Sequence, residues 1–268
     1  MPDPAEIPIY ELEREPDPPR LTGAVVLRKD AYDLYAALGS ELLLHAFNCV
    51  RAFGDFHVAL SGGSTPLPFY RRLMSDPMFR ELPWKRTHLW LVDERRVPMD
   101  DERCNWTQIA GYMLDHSDIP ASQVHPMDQM SADAAEKYEA ELREVLGWRE
   151  RGQDRLDFVL LGMGSDGHTA SLFPHSPALA ERSRLVTINA GPRVTPPDRL
   201  TMTYPLLNSA RLTTVLVTGK SKQAALAHVA ARRDAPGAEI DLPILGVKPL
   251  GDGIVRWYLD HEACPQPA

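Results

Sequence analysis

The chain predicts one doubly wound α/β domain built on a mostly parallel, Rossmann-like sheet, and three features carry that expectation. Short, largely apolar runs such as Phe56–Leu60, Phe158–Leu161 and Thr213–Val217 end abruptly in glycine or hydroxyl residues, the pattern of strands buried on both faces. Longer stretches with apolar residues at helical spacing separate them. The two kinds alternate along the chain with no internal repeat and no low-complexity insert. In such sheets ligands lie beyond the carboxyl ends of the strands, so function is sought in the loops that follow the apolar runs.

The 268 residues are enough for a sizeable core, and a composition of 44% hydrophobic and 25% charged residues is that of a soluble globular protein. Residues 1–20 carry six prolines and little apolar periodicity, so they are expected to form an extended or poorly ordered tail before a domain at 21–262. That acidic, proline-rich start does not resemble a signal peptide, and no apolar run is long enough to span a membrane. Three scattered cysteines, Cys49, Cys104 and Cys264, lack metal-ligand spacing and point to a reducing cytoplasm. A net charge of −8 argues against general nucleic-acid binding. A small anionic substrate stays compatible with it, provided the site itself is locally positive.

In chain order, Leu21–Leu27 is the first strand, and Asp30 is placed to cap a helix over 31–53 whose Tyr35, Leu38, Leu42, Ala46 and Cys49 share one face. The strand Phe56–Leu60 runs into Ser61-Gly62-Gly63-Ser64-Thr65-Pro66, with Pro66 suited to the first turn of a helix. Small residues between a strand and a helix start expose N–H groups and hydroxyls, a ready phosphate site, although no Gly-Lys-Ser/Thr makes it a P-loop. Otherwise Ser64 or Thr65 merely caps a tight turn. Thr87–Val92 is the third strand and ends in Asp93-Glu94-Arg95-Arg96, either a solvated loop or a source of an anion-binding arginine and a hydroxyl-binding carboxylate. A helix follows from Asn105 to Leu114, and an amphipathic one over 131–146 with Ser131 as its cap. His116 and His125 fall in polar, loop-like sequence. Leu185–Ile188, Arg199–Tyr204 and Ile254–Leu259 read as further strands. Thr213–Val217 is closed by Thr218-Gly219-Lys220-Ser221-Lys222, with Ser221 placed to cap the next helix. Lysines at a helix start oppose its macrodipole unless an anion sits there.

The stretch around which the chain is organised is 156–174, LDFVLLGMGSDGHTASLFP. Its Gly162-Met163-Gly164-Ser165-Asp166-Gly167 fits the dinucleotide fingerprint, with Glu181 near the place of a ribose-binding acid. That fingerprint needs a helix running on from its last glycine, and Pro174 and Pro177 cut one short, so no cofactor is expected. Asp166 and His168 are the only ionisable groups of the turn. A neutral imidazole can take a proton from water, and the Asp either orients the ring, binds hydroxyls or braces the loop. Neither Ser165 nor Ser171 lies in a nucleophile elbow, so activated water is the expected nucleophile. The N–H groups of Gly164 and Gly167 are candidates for an oxyanion hole.

Five segments taken together, LSGGSTP (60–66), VDERRVP (92–98), LLGMGSDGHTASLFP (160–174), RLTMTYPLLN (199–208) and TGKSKQAAL (218–226), resemble the 6-phosphogluconolactonase family from about residue 21 to 260. The resemblance implies a three-layer α/β/α fold like that of glucosamine-6-phosphate deaminases and ribose-5-phosphate isomerases. It also implies metal-free hydrolysis of 6-phospho-D-glucono-1,5-lactone in the pentose phosphate pathway, with His168 and Asp166 catalytic. Gly62, Gly63, Ser64 and Thr65 then hold the substrate phosphate with Lys222, Arg95 and Arg199, and Asp93 binds sugar hydroxyls. Deaminases carry a Glu where this chain has Phe173 and a Tyr where it has Arg95, which sets the chain apart from them. The remaining alternatives are an isomerase or deaminase and a non-catalytic sugar-phosphate sensor, for which residues 1–20 are too short and acidic to supply a helix-turn-helix. The sequence leaves the oligomeric state open.

Overall fold

The computed structural model describes residues 15–192 and 194–265; residues 1–14, most of the expected tail, lie outside the described residues. Strand β1 (Ala24–Arg28) leads to helix α1 (Ala31–Phe53), started by the Asp30 side chain accepting from the Asp33 N–H and stopped by Gly54 at a φ of 93°. Strand β2 (Phe56–Leu60) is buried throughout, and helix α2 (Leu67–Ser75) follows Pro66 with no capping side chain. The Ser64 and Thr65 hydroxyls are therefore not used as caps. Then come β3 (Thr87–Leu91), β4 (Asp93–Arg95), α3 (Asn105–Met113), β5 (Val124–His125), α4 (Ala134–Leu146) and β6 (Phe158–Gly162). The chain closes with β7 (Val186–Ala190), β8 (Asp198–Met202), α5 (Tyr204–Ser209), β9 (Leu212–Val217), α6 (Gln223–Arg232) and β10 (Ile254–Asp260).

Seven strands form the main sheet in the order β1-β10-β9-β6-β2-β3-β5, every neighbouring pair parallel. From the adjacent β2 and β6 the chain winds in opposite directions, to β3 and β5 on one side and to β9 and β10 on the other. The crevice at such a switch point opens past the carboxyl ends of the two strands. The Gly62–Thr65 and Gly164–His168 segments follow those two ends. The core extends on to Ala263 and Cys264, just past the expected domain limit of 262.

Several local expectations give way to packing. Asp93–Arg96 is not a solvated loop: Val92 donates to Leu60 O and accepts from Met202 N, which swings the chain from the main sheet into an antiparallel sheet of order β4-β8-β7. Ser131 does not cap α4; its hydroxyl bonds the Asp133 side chain, and the helix starts at Ala134. Ser221 caps nothing either, because a 3-10 turn over Lys220–Lys222 precedes α6. His125 is buried on β5, stacked on Trp90 with ring centroids 3.7 Å apart.

At the amino ends of β2 and β3, Asp55, His57 and His88 form the one group of three metal-capable side chains among the described residues. Its hydrogen bonds oppose that use. Trp90 Nε1–H donates to His57 Nδ1 at 3.1 Å, so the neutral ring carries its proton on Nε2 and donates it to Asp55 Oδ2 at 3.0 Å. Burial lowers the His57 pKa and keeps the ring neutral. Arg149 occupies the other Asp55 oxygen at 2.5 Å and also pairs with Asp157 at 2.8 Å, a buried network that is structural.

Candidate active site

A cleft of about 460 Å³ lies at the switch point, walled by the loops after β2, β6, β7 and β9, by the start of α3 and by strands β4 and β8 of the small sheet. Ser61 anchors the first wall: its Oγ donates to Leu160 O at 2.8 Å, and its carbonyl accepts from Tyr70 Oη at 2.6 Å. Beyond it, the N–H groups of Gly62, Gly63, Ser64 and Thr65 meet no acceptor among the described residues. A row of unpaired donors beside a cleft is what an anion requires.

The β6 loop brings His168 to the cleft, and its Nδ1 lies 2.6 Å from Asp166 Oδ1, which also accepts the His168 N–H at 3.1 Å. With Nδ1 committed, Nε2 is the ring atom left for chemistry in the cleft. Burial works against the Asp166 charge, yet the hydrogen bond and charge interaction with His168 outweigh it and hold the carboxyl at about 2. Asp166 itself lines a separate cavity behind the loop and not the main cleft, so its position suits orienting the ring better than binding a hydroxyl in that cleft.

The glycines of this loop serve shape rather than the expected oxyanion. Gly164 N–H donates to His168 O at 2.8 Å and Gly167 N–H to Gly164 O at 3.1 Å, so neither donor is free. Gly167 takes a φ of 78°, and a Cβ on Gly164 would stand 2.1 Å from His168 Nδ1 and 2.6 Å from Asp166 Oδ1. Gly164→Ala is therefore expected to displace the ring and cut kcat about tenfold or more, since misplacements near 1 Å are that costly. An unchanged kcat in a folded variant would show the ring position to be unimportant.

Arg95 and Arg199 are direct cross-strand partners between β4 and β8, and both line the cleft. Like charges set opposite one another destabilise a sheet, and burial, then the Arg95 charge, lowers the Arg199 pKa. An anion between them would relieve both effects. Lys222 reaches the cleft from the β9 side, its Nζ donating to Met163 O at 2.8 Å; burial lowers its pKa against the charge of Asp166. Lys220 is exposed outside the cleft.

Asp93 is buried at the cleft wall, with Oδ2 accepting from Ser171 Oγ at 2.6 Å. Glu94 points away from the cleft and takes the N–H groups of Asn105 at 2.8 Å and Trp106 at 2.7 Å, closing the start of α3. Asn105, Ser171, Thr195 and Phe173 also line the cleft, and the Phe173 ring lies 5.1 Å from that of His168. Of these, Asn105 and Thr195 carry no sequence signal for a site. Asn105 shows itself only in three dimensions, where its Nδ2 holds Asp93 O at 2.9 Å and its side chain fills the space a Cβ on Gly62 would need.

Comparisons with known proteins agree with this geometry. Residues 29–256 match the family described as glucosamine-6-phosphate isomerases/6-phosphogluconolactonase. A GDH/6PGL endoplasmic bifunctional protein of Oryctolagus cuniculus is 37% identical over 239 residues, which are 86% of this chain but only 28% of that protein. The chain thus spans less than a third of that relative's length. A 6-phosphogluconolactonase of Synechocystis sp. is 40% identical over 213 residues, covering 78% of this chain and 84% of the relative. Among solved structures, a 6-phosphogluconolactonase of Thermotoga maritima superposes with a TM-score of 0.73 at 30% identity, over 88% of this chain and 99% of that one. One from Trypanosoma cruzi superposes at 0.76 and 28% identity, over 92% and 97%. With the sheet order, the crevice and these matches in agreement, the chain belongs to the glucosamine-6-phosphate isomerase/6-phosphogluconolactonase family.

Proposed function

We propose that the protein hydrolyses 6-phospho-D-glucono-1,5-lactone to 6-phospho-D-gluconate, using His168 to activate water. The observation that carries the reading is the His168–Asp166 pair: an imidazole at the cleft with Nδ1 held at 2.6 Å and Nε2 left over. A δ-lactone is an activated ester, so a positioned water and a base suffice. The water oxygen bonds to C1 while its proton passes to Nε2. The bond from C1 to the ring oxygen then breaks, and the imidazolium returns its proton to that oxygen. Phe173, packed on the His168 ring, can move no proton, which disfavours deaminase chemistry in this cleft.

The substrate phosphate is assigned to the Gly62–Thr65 donors with Lys222, Arg95 and Arg199, and Asp93 to the sugar hydroxyls. These cations make the cleft locally positive in a chain of net charge −8. Phosphate binding remote from C1 supplies energy that positions the lactone. Lys222→Ala is thus expected to raise KM about 10- to 100-fold, the worth of one charge-assisted hydrogen bond, with a much smaller change in kcat. An unmoved KM would remove Lys222 from the phosphate site. The reading as a whole is tested with freshly made lactone, the spontaneous rate subtracted; a purified protein that adds nothing to that rate refutes it.

A further inference from the structure

We propose that the backbone N–H of Ala170 is the oxyanion donor of this site, facing the C1 oxygen as water adds. The proposal rests on the lactonase reading above and supplies the group that Gly164 and Gly167 cannot, since their N–H groups are already bonded within the turn.

Ala170 lies two residues past His168 and lines the same cleft. Its φ is 49°, in the left-handed region that a residue with a Cβ rarely adopts. Such a conformation persists only where the surroundings impose it, and such positions gather at functional sites. Here the surroundings are rigid. Thr169 Oγ1 donates to Gly162 O at 2.8 Å, and Leu172 N–H closes the turn onto Thr169 O at 2.9 Å. Ser171 is held at three atoms: its N–H by Thr201 Oγ1 at 3.1 Å, its carbonyl by Asn189 Nδ2 at 2.8 Å and its hydroxyl by Asp93 at 2.6 Å. Between these anchors the Ala170 N–H meets no acceptor among the described residues.

A donor left unpaired in a turn that lines the cleft and is anchored on both sides by these bonds is pre-organised for charge that appears only during reaction. As the water oxygen bonds to C1, the carbonyl π pair moves onto the exocyclic oxygen, and the Ala170 N–H holds that charge. When the pair returns, the bond from C1 to the ring oxygen breaks and the ring oxygen takes the proton held on His168.

The test replaces alanine 170 by lactic acid, an amide-to-ester exchange that removes this N–H and keeps the methyl group. The expected result is a kcat about 100-fold lower, the usual effect of losing one oxyanion donor, with KM and binding of 6-phosphogluconate within about threefold. A kcat within about threefold of the unmodified enzyme, against its measurable lactone hydrolysis, would overturn the proposal alone; an inactive unmodified enzyme would instead overturn the lactonase reading. If the ester protein does not bind 6-phosphogluconate, the amide resonance of Ala170 in the unmodified protein decides. Saturation with 6-phosphogluconate, whose C1 carboxylate places an anionic oxygen at the reacting carbon, is expected to move that proton downfield, and an unmoved resonance would overturn the assignment.

Discussion

His168→Ala is expected to lower kcat for lactone hydrolysis by on the order of 10²–10⁴, the range general-base catalysis contributes, while 6-phosphogluconate still binds. Binding should survive because the phosphate donors assigned here lie on the loops after β2 and β9 and on strands β4 and β8, whereas His168 is on the loop after β6. Truncation also leaves the turn intact. The main-chain bond from Gly164 N–H to His168 O, at 2.8 Å, does not involve the ring. The ring gives up its packing on Phe173 at 5.1 Å and its partly exposed bond to Asp166 at 2.6 Å, so the structural cost is a modest loss of local order and stability. The measurement pairs initial rates, corrected for spontaneous opening, with calorimetric titration of the product. Retained binding with lost turnover places the base at His168. Full turnover in the variant would move the base elsewhere, and loss of binding would give the ring a role in holding substrate.

Why this much could be read from the sequence, and no more, follows from what is local. Helix α1 was legible because its cap, its stop and its apolar face lie within one segment, Asp30 to Gly54. Strands β2 and β6 were legible because a strand covered on both faces has to be apolar at nearly every position. Strand β4 was not. Asp-Glu-Arg has no strand character of its own, and it pairs only because the backbone of β8, about a hundred residues later, runs antiparallel beside it. The candidate site divides the same way. The glycines and the Asp166–His168 spacing pointed to the right loop, but where each N–H is directed depends on the turn's closure, which is why Gly164 and Gly167 looked available and are not. Asn105 and Ser171 brace Asp93 from other segments of the chain, and such bracing leaves no trace in residue spacing.

Asp166 carries the second large effect, and two substitutions separate its possible duties. Both of its contacts to His168 use Oδ1, at 2.6 Å to the ring and 3.1 Å to the backbone N–H. Asp166→Asn can keep an oxygen there and lose only the charge; Asp166→Ala loses both. If the carboxylate orients the ring and stabilises the imidazolium, Ala should lower kcat by on the order of 10²–10³ and Asn by on the order of 10, less than the loss of a triad aspartate because this pair is partly exposed to solvent. The comparison is clean over the working pH range. The folded carboxyl titrates at about 2 against an ordinary value of 3.8, so it stays charged at every assay pH above about 4. Because the folded value is the lower one, the stability it contributes is complete above 3.8 and is lost only as pH falls toward 2. A rise in KM with kcat intact would instead make Asp166 a hydroxyl ligand, and equal small losses in both variants with a lowered Tm would make it a brace for the loop. Only the graded loss in kcat, with product binding unchanged, fits a carboxylate acting through His168.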